Sequence, residues 1–121
     1  MTYTASQIEE ARKVVADECN NVIRMGMEYL QRTANVLKAE SFVVVSSLNV
    51  ARIVHRPKGV NRWAVGITNT PMLFTKEDAE KLAAEFNADY CPTGEVLSVI
   101  TDVEYWNRRI DESRNLLDSL K

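Results

Sequence analysis

FVVVSSLNVARIVHRPKGVNRWAVGI, residues 42–67, decides the fold. Phe42 is followed by three consecutive β-branched residues, Val43, Val44 and Val45. They do not alternate with polar residues, which points to a strand covered on both faces. The polar stretch Ser46-Ser47-Leu48-Asn49 then turns the chain, and Ile53 and Val54 carry a second strand. Arg56-Pro57-Lys58-Gly59-Val60-Asn61 reads as an exposed loop, because Pro and Gly break a ladder and supply turn geometry. A third strand follows over Arg62–Ile67. Three successive strands with short links favour an antiparallel meander.

On the N-terminal side, Thr4 to about Leu37 contains no Pro and one Gly. Its apolar residues Ile8, Ala11, Val15, Val22, Met25, Tyr29 and Val36 recur at helical spacing, which predicts one long amphipathic helix. About 30 residues at 1.5 Å each reach about 45 Å, beyond the roughly 30 Å of a small domain. That length predicts an oligomer in which a second protomer covers the far end of the stripe. Gly26 and the pair Asn20-Asn21 weaken the helix locally and leave a kink there as the alternative. On the C-terminal side, Thr68-Asn69-Thr70-Pro71 ends the third strand. Thr75 with Asp78 makes a helix start whose inner face is Ala79, Leu82, Ala83 and Phe86, and Asn87-Ala88-Asp89 stops it. Cys91-Pro92-Thr93-Gly94 is a turn, and Val96–Ile100 a fourth strand. Thr101 with Glu104 opens a last helix lined by Val103, Trp106, Ile110, Leu117 and Leu120.

The expected fold class is therefore α+β. A small antiparallel sheet with a packed central helix is flanked by a long N-terminal helix and a C-terminal helix that mediate oligomerisation. We expect one domain over 1–121, with the long helix at 1–38, sheet and central helix at 40–100 and the last helix at 101–121. The 121 residues suit a single domain, and 45% hydrophobic with 26% charged residues excludes a disordered chain. A net charge of -2 and a pI near 5.4 have the wrong sign for a DNA or RNA polymer coat. No stretch approaches a membrane helix and the start lacks a signal peptide, so a cytoplasmic protein without a membrane partner is expected. Cys19 and Cys91 lack metal-ligand spacing and cannot complete a metal site with the one histidine, His55. Both thiols read as reduced and structural.

Enzyme signatures are absent: there is no GxSxG, HExxH, GxxxxGK[ST] or GxGxxG. His55 sits beside Arg56 in a strongly positive segment and reads as a strand-end residue rather than a base. Glu9-Glu10 and Glu77-Asp78 are helix-start charges. We therefore expect no catalytic residues and no cofactor. What remains is the run Arg52, His55, Arg56, Lys58 and Arg62, four fixed positive charges in eleven residues with no acid between them. Such a run is either a local anion site or a solvated hairpin tip. Trp63, Thr68-Asn69-Thr70 and Phe74 follow immediately. They read either as strand core and turn chemistry or as a stacking surface with short hydrogen-bonding side chains. Arg108 and Arg109, one turn after Trp106, either pair with Glu104 or Asp111 or complete the charge site. The candidate ligand-binding set is Arg56, Lys58, Arg62, Trp63, Asn69, Phe74, Arg108 and Arg109.

The segment ARIVHRPKGVNRWAVGITNTPMLFTKEDAEKLAAEFNADY sits between a long N-terminal helix and an arginine-bearing C-terminal helix. In that setting it resembles the first type of Thoeris anti-defence protein, a phage and prophage family. The resemblance covers the middle third of the chain and its overall layout. It implies a non-catalytic sponge that sequesters cyclic ADP-ribose isomers and, in some members, cyclic trinucleotides. It further implies assembly through dimers into a hexamer, with ligand pockets at protomer interfaces in the host cytoplasm. It implies that Arg56 and Arg108 or Arg109 hold phosphates, and that Phe74, Phe86, Asn69 or Asn87 face the adenine-ribose part.

Two other readings use the same residues. In one, the long helix docks a host protein and no small molecule binds. In the other, the chain is a small enzyme acting on a nucleotide, with Asp89 or Glu95 as its carboxylate base.

Overall fold

A computed structural model describes residues 2, 4–35, 40–59, 61–68, 70–89 and 94–120. The elements are α1 (Ala5–Ala34), β1 (Phe42–Ser46), β2 (Arg52–His55), β3 (Ala64–Ile67), α2 (Lys76–Asp89), β4 (Leu97–Thr101) and α3 (Asp102–Ser119). Their order is the α-β-β-β-α-β-α read from the sequence, and the fold is α+β. The chain forms two compact units, Met1–Val36 with Trp106–Lys121, and Leu37–Tyr105.

In the second unit the strands make one antiparallel sheet of order β3-β2-β1-β4. The meander predicted for the first three strands is present, and β4 returns after α2 to pair with β1 from Phe42↔Thr101 to Ser46↔Leu97. Side chains alternate across a strand, so Val44, Val54 and Leu97 share one face. There they form a core with Ala79 and Ala83 of α2, flanked by Leu82, Phe86, Val65 and Val99. Val43, Val45 and Ile53 point the other way and are equally buried, which is why the run FVVV carries no polar alternation. Burying each of these side chains contributes about 2 kcal/mol.

The helix starts follow from their caps. Thr75 Oγ1 accepts the Asp78 N–H at 3.2 Å, and Thr101 Oγ1 accepts the Glu104 N–H at 3.1 Å. Thr4 makes a full capping box with Gln7, which the sequence reading did not single out. α2 runs to Asp89, within the stretch Asn87-Ala88-Asp89 expected to stop it, and Asn87 itself is still helical. Its side-chain amide donates to the Leu97 carbonyl and accepts the Leu97 N–H, both at 2.9 Å. The asparagine thus closes two backbone groups at the start of β4. The strand limits shift. β3 begins at Ala64 rather than Arg62, and β4 spans Leu97–Thr101 rather than Val96–Ile100.

In the helical unit, α1 is one continuous helix of 30 residues. Gly26 is buried, and a methyl group placed on it would stand 2.9 Å from Ile110 Cγ1 and Cδ1 and 3.1 Å from Trp106 Cε3. Glycine is there to let α1 and α3 approach, a role that outweighs its weak helix propensity. Tyr29 packs on Trp106 with ring centroids 6.0 Å apart. The buried residues of α1 are Cys19, Val22 and Gly26. Ile8 and Ala11, expected in the buried stripe, are exposed, and with Gln7, Arg12, Val15 and Leu120 they line an open groove of about 550 Å³. Val36 of the predicted stripe lies outside the described residues.

Candidate functional site

β2 ends at His55 and the ladder partner of His55 is Ala64, so Arg56 and Trp63 face each other one step beyond the last strand pair. The Arg56 guanidinium carbon lies 4.4 Å from the centroid of the Trp63 ring. The indole in turn meets Phe74 at 5.2 Å between centroids and 63° between planes, an edge contact that suits the ring quadrupoles. Phe74 is fixed by its own backbone, which exchanges two 2.9 Å hydrogen bonds with Phe42 at the start of β1. Core strand, Phe74, Trp63 and Arg56 therefore form one continuous stack from interior to surface.

Arg56, Lys58 and Arg62 are exposed, and none has a carboxylate partner among the described residues. Between them Gly59 takes φ 82°, a left-handed conformation that glycine adopts without steric cost. The loop is therefore cationic, tightly turned and backed by aromatic rings. Arg52, the first cation of the run, behaves differently. Its Nε donates to both oxygens of Glu95 at 3.0 and 3.2 Å, and the Glu95 side chain is 4% exposed. The pair neutralises Arg52 from 43 residues away, a distance that hides it from any local reading of charge. It also takes Glu95 out of consideration as a free carboxylate base.

His55 stands at the end of β2, with Nε2 3.0 Å from the position a Cβ on Gly66 would take. Thr68 Oγ1 accepts the Thr70 N–H at 3.2 Å, which is turn chemistry. Asn69 lies outside the described residues, as does Cys91. Of the other residues weighed for the adenine-ribose part, Phe86 packs against the sheet core and the Asn87 amide is taken up by Leu97. Arg108 and Arg109 are on the part of α3 that belongs to the helical unit. Arg108 is exposed and Arg109 is buried, at 6% exposure. The structure thus brings Arg56, Trp63 and Phe74 together, with Lys58 and Arg62 on the same loop connection.

No group of three His, Cys, Asp or Glu that could hold a metal occurs among the described residues. Nor is any described helix long and apolar enough to cross a membrane. Burial, and then the neighbouring Glu18 carboxylate, push the Cys19 thiol above its ordinary range. That keeps the thiol protonated and poorly nucleophilic near neutrality. Compared with protein-family models, with curated proteins and with solved structures, the chain finds no match.

Proposed function

We propose that this protein binds a small phosphorylated nucleotide and sequesters it without cleaving it. One observation carries the reading. Arg56, Lys58 and Arg62 have no carboxylate among the described residues and lie on an exposed loop, while Arg52 in the same run is neutralised by Glu95. Cations without a carboxylate next to aromatic side chains match a ligand that joins phosphates to bases or ribose. The resemblance to Thoeris anti-defence proteins narrows the ligand to cyclic ADP-ribose isomers and cyclic trinucleotides, and the setting to a phage or prophage protein in a host cytoplasm. Sequestration demands a Kd near nanomolar, about 12 kcal/mol, which favours sites closed by two protomers. A homo-oligomer, a dimer or a hexamer, belongs to this proposal, with Arg108 or Arg109 supplying further phosphate contacts.

Titration calorimetry with a cyclic ADP-ribose isomer and, separately, with cyclic triadenylate tests the reading. The bound molecule is then released by heat and weighed. Tight binding with recovery of intact ligand is the expected result. A changed mass would make the chain an enzyme, and absence of binding by both compounds would remove the nucleotide.

The exposed Ile8 and Val14 and the apolar groove beside them favour a second reading, in which α1 docks another protein. Light scattering of the pure protein separates the two uses of that face. A monomer that binds neither nucleotide supports docking, and a self-assembled oligomer supports the first reading.

A further inference from the structure

We propose that Trp63 is a positioning residue, which holds the Arg56 guanidinium on its ring so that the N–H edges stand ready for a phosphate. The inference rests on the reading of Arg56 as a ligand-binding cation and adds how that cation is presented. An exposed arginine ordinarily samples many rotamers, and a ligand that must fix one pays for it in affinity. Here the guanidinium carbon lies 4.4 Å from the indole centroid, and the indole is fixed edge-on by Phe74. The Phe74 backbone is anchored by two bonds to Phe42, and its ring packs against the sheet core. A guanidinium that lies flat on a ring keeps its in-plane N–H donors available, and that is the orientation the proposal requires of Arg56. Those donors match two oxygens of a phosphate or pyrophosphate in a fork.

The same geometry sets a limit on the ligand. The ring face under Arg56 is occupied, so a base does not stack there unless the arginine leaves. Trp63 then contributes to affinity through Arg56, and the anion, rather than the base, is what this corner reads. Ligands sharing a pyrophosphate but differing in base should lose affinity to the same degree when Trp63 is changed.

The test uses the full chain, Arg56→Ala, Trp63→Leu and Trp63→Phe, with cyclic ADP-ribose and inorganic pyrophosphate as probes. NMR of the free proteins reads the Arg56 side-chain protons, which the indole ring current should move upfield. That shift should vanish in Trp63→Leu and persist in Trp63→Phe. Both probes should bind about fivefold to tenfold more weakly to Trp63→Leu and within about twofold of wild type to Trp63→Phe. Random-coil Arg56 shifts in the wild type overturn the proposal. So does wild-type affinity in Trp63→Leu, and a loss in Arg56→Ala alone would then leave the nucleotide reading standing. If cyclic ADP-ribose fails to bind the wild type, that reading falls and the pyrophosphate series decides the positioning. Failure of both probes overturns both.

Discussion

Arg52 opens β2 and Arg56 follows its last residue, four positions apart in the same chain segment. The first is turned inward onto the buried Glu95 carboxylate; the second lies over Trp63 with no carboxylate among the described residues. Around Arg52 every nearby polar group shown has a local answer. Asn49 Oδ1 accepts the Ala51 N–H at 2.8 Å, Ser46 Oγ accepts the Leu48 N–H at 3.0 Å, and Asn87 closes both backbone groups of Leu97. Around Arg56 the support is aromatic and the charge is left open. One end of β2 is neutralised within its own chain, and at the other the proposed ligand would supply the anion.

The largest effect that tests this contrast is expected at the closed end. Arg52→Ala strips the buried Glu95 carboxylate of its guanidinium and should cost about 3 kcal/mol, which lowers the melting midpoint by roughly 10 °C. A thermal melt with less than a 2 °C change would erase the distinction between the two arginines. Next comes Asn87→Ala, which removes both hydrogen bonds to Leu97 and should cost about 2 kcal/mol in urea unfolding. Hydrogen exchange at Leu97 should quicken in that variant, and unchanged protection there would mean another group closes the strand. Smallest is Arg56→Ala, whose stability should stay within about 1 kcal/mol of wild type, since an exposed cation over a ring contributes about that much. A larger loss in the same melt would make Arg56 a structural residue.

Linear reading recovered most of the fold because its signals are local. Consecutive valines, the Pro-Gly loop and the Thr75 and Thr101 caps each act within a few residues, and the structure returns the three-strand meander and the helix starts they imply. What escaped was set by contacts across the chain. The stretch Asn87-Ala88-Asp89 is legible as the end of α2, but the service of the Asn87 amide to a strand ten residues on is not. Gly26 looked like a weak point, whereas Ile110 and Trp106 need the space that glycine leaves. The stripe of α1 continues in phase to Ile8, yet burial stops short of it, which periodicity alone does not reveal. At the site, the density of positive charge was legible and its partition was not. Glu95 lies outside the run and removes one arginine from it, while the stack of Arg56 on Trp63 follows from a strand register that puts residues 55 and 64 opposite each other.

The central claim is that Arg56 is held open for a ligand while Arg52 is not. Titration calorimetry of wild type and Arg56→Ala with cyclic ADP-ribose, run beside thermal melts of both, tests it most directly. The account predicts tight binding by the wild type and a loss of more than about 2 kcal/mol, roughly thirtyfold in Kd, in a variant that melts as the wild type does. Equal affinities in the two proteins, or a variant that loses binding only because it unfolds, would contradict it.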